Sequence, residues 1–370
     1  MKKISETNIN ILDGDRGKNY PSPNELYKNG FCLFLSNKNI VGNRLNLEDC
    51  AYITEERHNL LRQGTLTYND IVLTTRGTVG NLLFVDSTFP LPSRINSGMV
   101  ILRSDQSEYL QKYLFYYLQS SYVREQIDEL QTGSAQPQLP IKDINQLKIE
   151  SISIAKQQHI VDILGTLDDK IENLEEINSK LQNYCIAKYR LLFSDVESIP
   201  LSNIAAITMG QSPAGNTLND KDGVVFYQGR TDFGFRYPTV RLFTTDPKRM
   251  AKAGDILLSV RAPVGDVNIA SEDCCIGRGI AAVSSEYNSF VYYSILNQKT
   301  DFDIYNNSGT IFGSINRDAL STFKIPAANI SLIETFESMA SDVDKSIHNN
   351  TKEIDKLRTL KQTYLQKFFG

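Results

Sequence analysis

Two stretches of the chain close a short apolar run with the same polar turn. NDIVLTTRGTVGN (69–81) and GDILLSVRAPVGD (254–266) match Asp70, Ile71, Arg76, Val79 and Gly80 to Asp255, Ile256, Arg261, Val264 and Gly265, at a constant offset of 185. Around them stand side chains with recognition chemistry. The first half offers Lys38 and Asn39 after the run 31–36, then Thr75 and Arg76, then Arg94 and Asn96 in SRINSGM. The second offers Gln228 and Arg230 in YQGRTDF, then Arg261, then Arg278 in IGRGI. Arg, Lys, Asn and Gln bond phosphates and pair in bidentate fashion with base edges. Here they lie at strand ends beside glycine, where loops project and a ligand can approach the backbone. For Arg76 and Arg261 an ion pair with an internal carboxylate, such as the preceding Asp, is an equally good reading. Asp70 and Asp255 each precede a strand, a position that suits a turn residue better than a catalytic one.

The familiar catalytic patterns are missing from the sequence. No G-x-x-x-x-G-K-[ST], G-x-G-x-x-G, H-E-x-x-H or G-x-S-x-G occurs. His58, His159 and His348 are isolated, and no carboxylates pair in a recognisable catalytic frame. Cys32, Cys50, Cys185, Cys274 and Cys275 have neither the spacing of a zinc site nor the even count of a disulfide framework. The expectation is a binding scaffold without catalytic residues, metal or cofactor of its own.

Those polar residues need elements to carry them. Apolar runs at 31–36, 70–75, 81–86 and 98–103 read as strands, as do 224–229, 255–260, 266–271 and 279–285. Helical patterns follow at 108–130 and 289–299. Each block is therefore expected to be α+β, a twisted sheet with a few helices.

A second repeat is helical. Residues 156–192 carry a heptad-like seam through Ile160, Leu164, Leu167, Ile171, Leu174 and Leu181, with polar Asn178 in it. Residues 331–369 place Phe336, Ala340, Val343, Ile347, Ile354, Leu357, Tyr364 and Phe368 on a similar stripe, with Asn350 in it. At an offset of 176, Leu167, Asp168, Ile171 and Leu181 meet Val343, Asp344, Ile347 and Leu357, and Gly133 of the lead-in meets Gly309. Each helix should exceed about 33 residues, near 50 Å. Two such seams are expected to pair as an antiparallel coiled coil about a pseudo-two-fold axis, with a globular block at each end. The implied order is a recognition block at 1–150, a spacer helix at 151–193, a second block at 194–327 and a second helix at 328–370.

The bulk numbers limit the alternatives. A chain of 370 residues exceeds what one core usually supports. It has no 18-residue apolar run and no signal-like start, so a cytoplasmic protein without a membrane span is expected. The net charge is −4, and the two blocks are nearly balanced, with 16 Lys/Arg against 17 Asp/Glu over 1–155 and 12 against 14 over 191–327. Any nucleic-acid binding must come from local patches or from a partner's positive surface, and isolated binding should be weak and salt-sensitive.

GSAQPQLPIKDINQLKI (133–149) and QQHIVDILGTLDDKIENLEEINSKL (157–181) resemble the conserved segment of type I restriction-modification specificity subunits. DGDRGKNYPS (13–22), LFLSNKNI (33–40), NDIVLTTRGTVGN and RINSGM (94–99) resemble one kind of target recognition domain. GQSPAGNT (210–217), DILLSVRAPVGD and FGSINRDALSTFKIP (312–326) resemble another. The second helical region lacks the PLxxQ-like lead often seen in the family. The resemblance implies a non-enzymatic subunit in which each recognition domain reads half of a bipartite site on double-stranded DNA. It adds Arg16, Lys18 and Gln211 to the DNA-contacting set. It further implies two DNA adenine methyltransferase subunits docked on the helices, bringing S-adenosylmethionine, and motor-nuclease subunits bringing ATP and Mg. The specificity component of a type II or IIG-like system, and a coiled-coil protein-protein adaptor, remain as alternatives.

Overall fold

A computed structural model of the chain describes residues 1–133, 137–194, 196–306 and 313–370. Gly309, and Phe312 of the FGSIN motif, lie outside the described residues. Two compact units emerge, Met1–Asn173 with Ile354–Gly370, and Leu174–Glu353. These limits differ from the four expected segments, because each unit takes about half of both long helices.

The first unit is built on a four-stranded antiparallel sheet in the order Ile9–Asp13, Met99–Ser104, Ile71–Thr74, Leu82–Phe84. Its two inner strands, MVILRS and IVLT, are mostly apolar because both faces of the sheet are covered. Ile71, Leu73, Leu82, Val100 and Leu102 face a cluster with Tyr113, Leu114 and Tyr117. Alternate residues Val72, Leu83 and Ile101 face Leu33, Leu35 and Ile95 of a second sheet. Each such fully buried aliphatic side chain contributes about 1.5–3 kcal/mol. The second sheet orders Ala51–Ile53, Cys32–Leu35 and Ser93–Ile95, the last two parallel.

The second unit repeats this plan. Its four-stranded sheet runs Ala206–Met209, Ile280–Ser284, Ile256–Ser259, Val267–Ile269. Its second sheet adds a short strand at each edge around Leu242–Thr244, Val224–Tyr227 and Cys274–Ile276, again with a parallel pair. Each unit also has a small antiparallel pair, Lys2–Lys3 with Lys148–Ile149 and Ser198–Pro200 with Lys324–Pro326. The helix expected over 108–130 is in fact two, Gln111–Tyr117 and Ser121–Leu130. Ser120 starts the second by accepting the amide of Val123 at 3.3 Å.

The long helices are Ile154–Phe193 and Ile330–Phe369, 40 residues each and so about 60 Å in length. In both units their segments run antiparallel, as expected. In the first, Ile160 and Leu164 share a core with Leu365 and Phe369, and Lys361 Nζ meets Asp168 Oδ1 at 2.6 Å. In the second, Asn350 donates to Asn178 at 2.8 Å, and Tyr189 and Phe193 pack edge-on to Phe336. Of the expected seam, Ile171, Ile347, Ile354 and Leu357 are buried, and Leu167, Leu174, Leu181 and Val343 are half-buried. Two corrections follow. The first stripe continues through Cys185, Tyr189 and Phe193. At the other helix's end Leu365 and Phe369 are buried more deeply than Tyr364 and Phe368. A straight helix drifts about 20° per heptad, which turns Phe369 onto the rings of Tyr113 and Tyr117.

Each sheet body is tied to the helices by a repeated contact. Tyr116 donates its hydroxyl to Asp168 at 2.8 Å, and Tyr293 donates to Asp344 at 3.0 Å. Burial, reinforced by the nearby Asp168 charge, keeps the Tyr116 phenol protonated far above its ordinary range.

Candidate nucleic-acid interface

The repeated turns are fastened the same way in both units. Thr75 accepts the amide of Leu139 at 2.9 Å and Pro137 accepts that of Gly77 at 3.2 Å. In the second unit Val260 accepts from Ile315 at 3.0 Å and Gly313 from Ala262 at 2.9 Å. Gly80 and Gly265 adopt φ of +90° and +98°, a region that suits glycine. The aspartates secure strand entry: Asp70 accepts the amide of Thr67 and Asp255 that of Lys252, each at 2.8 Å. Asp70 is also gripped by Arg103, at 2.6 and 2.7 Å. The expected pairing of Arg76 or Arg261 with the preceding Asp is therefore not made. Arg76 is half-buried and Arg261 exposed, and neither forms an ion pair among the described residues.

In the first unit, loops 13–18, 36–39, 61–64, 75–78 and 96–98 converge. Gly14 lies against the carbonyl of Asn96, and Gly64 against Gly14. Asn37 donates its amide to the carbonyl of Arg76. Asp15, almost fully buried, accepts the amides of Arg62 and Gly17 at 2.8 and 2.7 Å. Those bonds hold its carboxyl below the ordinary value. Arg16, ion-paired to Asp13 at 3.1 Å, projects from this frame with Lys18 and Lys38, all exposed. Arg62 joins them with 80% of its side chain exposed. Sequence reasoning missed Arg62, because LRQG carries no strand-end or repeat signal.

Four candidates serve the frame instead. Arg94 is 5% exposed. Its guanidinium donates to Gln63 O at 2.8 Å, His58 O at 2.8 Å, Leu61 O at 3.0 Å and His58 Nδ1 at 3.1 Å. With four of its five N–H groups bonded inside the unit, it shapes the loop that displays Arg62. Burial, aided by the Arg94 charge, lowers the His58 pKa and keeps the ring neutral as acceptor. Asn39, 1% exposed, accepts from Ser36 N and Oγ, both at 2.9 Å. Thr75 is buried, and the half-buried Asn96 accepts the amide of Gly98 at 2.8 Å.

In the second unit the face gathers round Gly277–Gly279. Tyr227 accepts the amide of Gly277 at 2.8 Å, Gln228 that of Gly279 at 3.3 Å, and Ile276 that of Gln211 at 2.9 Å. The Arg278 amide donates to Ser212 Oγ at 3.2 Å. Gln211, Gln228, Arg230, Arg261 and Arg278 are all exposed. Asn96 bonds Leu35 as Gly277 bonds Tyr227, so Arg278 occupies the place of Ser97, and Cys275 that of Arg94. The two faces share a frame and differ in the side chains on it. Among the described residues no cluster of His, Cys, Asp and Glu is placed to hold a metal. No helix there is long and apolar enough to cross a membrane.

Fold and site together define a duplicated α+β protein whose two units present related loop faces and rest on shared long helices. The type I restriction modification DNA specificity domain matches the chain twice, over residues 9–183 and 194–355. The chain belongs to that family. A Methanocaldococcus jannaschii specificity subunit, named for the type I restriction enzyme MjaX, is 26% identical over 356 residues, covering 87% of this chain and 83% of the relative. The type I restriction enzyme HindI specificity subunit of Haemophilus influenzae is 23% identical over 173 residues, 45% of this chain and 36% of the relative. The crystal structure of the type I restriction-modification system S subunit from M. genitalium has the same fold, with TM-score 0.60 at 17% identity over 100% of this chain and 95% of that one.

Proposed function

We propose that the chain is the non-catalytic DNA-reading subunit of a type I complex, each unit reading one half of a bipartite, asymmetric site. One observation carries this: a closely related loop frame occurs twice with different exposed side chains. Ser97 in one unit answers to Arg278 in the other, under the same backbone bonds. Base contacts specify while backbone contacts position, so a shared frame with altered tips gives two related readers of different sequences. The exposed Arg16, Lys18, Lys38 and Arg62, with the half-buried Arg76, would serve the first half-site. Gln211, Gln228, Arg230, Arg261 and Arg278 would serve the second.

The long helices would dock two DNA adenine methyltransferase subunits, with motor-nuclease subunits completing the complex in the cytoplasm. S-adenosylmethionine, ATP and Mg would belong to those partners. The test is a methylated-adenine map of DNA from cells carrying the gene with its partner genes. A bipartite motif that vanishes on deletion of the chain is expected. Unchanged methylation would refute the reading and favour a protein-protein adaptor.

A further inference from the structure

Arg230, unlike Arg261 and Arg278, is held by a carboxylate. Its Nε donates to Asp266 Oδ2 at 2.6 Å, while Lys299 Nζ holds Asp266 Oδ1 at 2.5 Å. The Asp266 side chain is only 14% exposed, whereas that of Arg230 is 52% exposed. The carboxylate is seated in the body of the unit and the guanidinium extends outward from it. Burial works to raise the Asp266 pKa, but the bonds and charges of Arg230 and Lys299 outweigh it and leave the value below the ordinary one. Asp266 is an anion at neutral pH.

A guanidinium presents its N–H donors in a rigid planar fork. With Nε held by the carboxylate, the side chain loses much of its freedom to swing. The edge formed by the two terminal nitrogens then points away from the carboxylate, and no acceptor among the described residues takes it. Resting on the DNA-reading proposal above, we infer that Arg230 reads a guanine in the major groove through this edge, with Asp266, anchored by Lys299, as its positioning residue. Guanine offers O6 and N7 as adjacent acceptors, which a guanidinium edge matches in bidentate fashion. Adenine puts an N–H donor where O6 would be, so donor faces donor and the pair is rejected.

The first unit lacks this arrangement. The repeat puts Asn81 where Asp266 stands, and the Asn81 amide is turned to the carbonyl of Ile40 at 3.2 Å. Lys38, on the corresponding loop, is exposed and forms no ion pair among the described residues. A lysine is a point donor without a planar edge. The guanine therefore belongs to the half-site read by the second unit.

The test uses the full chain assembled with its methyltransferase partners and maps methylated adenines in genomic DNA. Variants Asp266→Asn, Arg230→Lys and Arg230→Ala are compared with the parent, each with a thermal melt. The parent motif should contain a guanine in the half-site that changes. In Asp266→Asn and Arg230→Lys, methylation at sites with another base in that position should rise by roughly tenfold or more, with every other position unchanged. Arg230 is a surface residue, so its variants keep the test open should Asp266→Asn fail to fold. A uniform loss across all positions, or an unaltered motif, overturns the inference while leaving the DNA-reading proposal intact. A parent that specifies no bipartite motif overturns both.

Discussion

The amide of Asn350 donates to the side-chain oxygen of Asn178 at 2.8 Å, joining the two long helices inside an otherwise apolar seam. Asn178 is 3% exposed, so this bond lies where water offers little compensation. A buried asparagine pair fixes the register of a helix pair at a cost in stability. Asn178→Leu alone leaves the Asn350 amide facing an apolar side chain, and should destabilise by about 1–3 kcal/mol. The double variant Asn178→Leu/Asn350→Leu should melt at or above the parent temperature. A double variant that melts below Asn178→Leu would refute this account.

Arg94 should behave as a framework residue. Arg94→Ala withdraws donors from three carbonyls around residues 58–63, for an expected loss of roughly 2–4 kcal/mol. Arg94→Lys should not rescue it, since one ammonium cannot reproduce a fork bonded in several directions. Chemical denaturation gives the loss directly. Near-parental stability for Arg94→Ala would return Arg94 to the pool of base readers.

The second unit buries an ion pair that can be dissected. Arg236 is 1% exposed and lies 3.0 Å from Asp344, which also accepts Ser289 Oγ at 2.8 Å and the Tyr293 hydroxyl. The guanidinium sits 4.1 Å over the Tyr292 ring centroid. Asp344→Asn should cost about 3–5 kcal/mol, because it leaves a buried cation uncompensated. Arg236→Met with Asp344→Leu should cost less than Asp344→Asn alone. Calorimetry on the three variants checks the ordering.

Asp15 provides a pH-dependent contribution whose sign is fixed. Its folded-state pKa is depressed by the amides of Arg62 and Gly17. The stabilisation is therefore complete above the ordinary carboxylate value of 3.8 and is lost as pH falls through the lower folded value. The gap in melting temperature between the parent and Asp15→Asn should be full at pH 7 and shrink below about pH 4. A gap constant down to pH 2 would show that the carboxylate charge is not what holds the loop.

On the proposed reading, the long helices set how many base pairs go unread between the half-sites. Removing one heptad from both shortens each by about 10 Å, or about three base pairs at about 3.4 Å per step. The methylated motif should show a gap shortened by that amount with both half-sites retained. An unchanged gap would remove the helices from this role.

Much of the fold was legible because it rests on periodicity. The runs at 70–75 and 255–260 and the seams through Ile171 and Ile347 are local patterns, and the repeat supplied the duplication. The contacts that decide the site are not local. Nothing near SRI shows that Arg94 will face the carbonyls of residues 58–63, so its burial could not be read from its neighbours. Arg62 stayed hidden for the same reason, since its display depends on the hydrogen bond from its backbone amide to Asp15, 47 positions away. The Asp266–Arg230 pair was half visible. Position 266 is where the halves differ between Asn and Asp, but its cationic partner is 36 residues off. The end of the second stripe was misplaced by one residue, because a heptad extrapolation ignores the helix's own drift.

The first unit's core also has a biosynthetic consequence. Tyr113 and Tyr117 are covered by Phe369, which leaves the ribosome about 250 residues later. At about 5–20 residues per second, the aromatic surface made first waits for roughly 13 to 50 seconds until its cover is synthesised. The whole second unit is translated in that interval. Nascent chains of this protein thus expose sticky aromatic surface longest on the half made first, and that half is where a holding chaperone would have most to do.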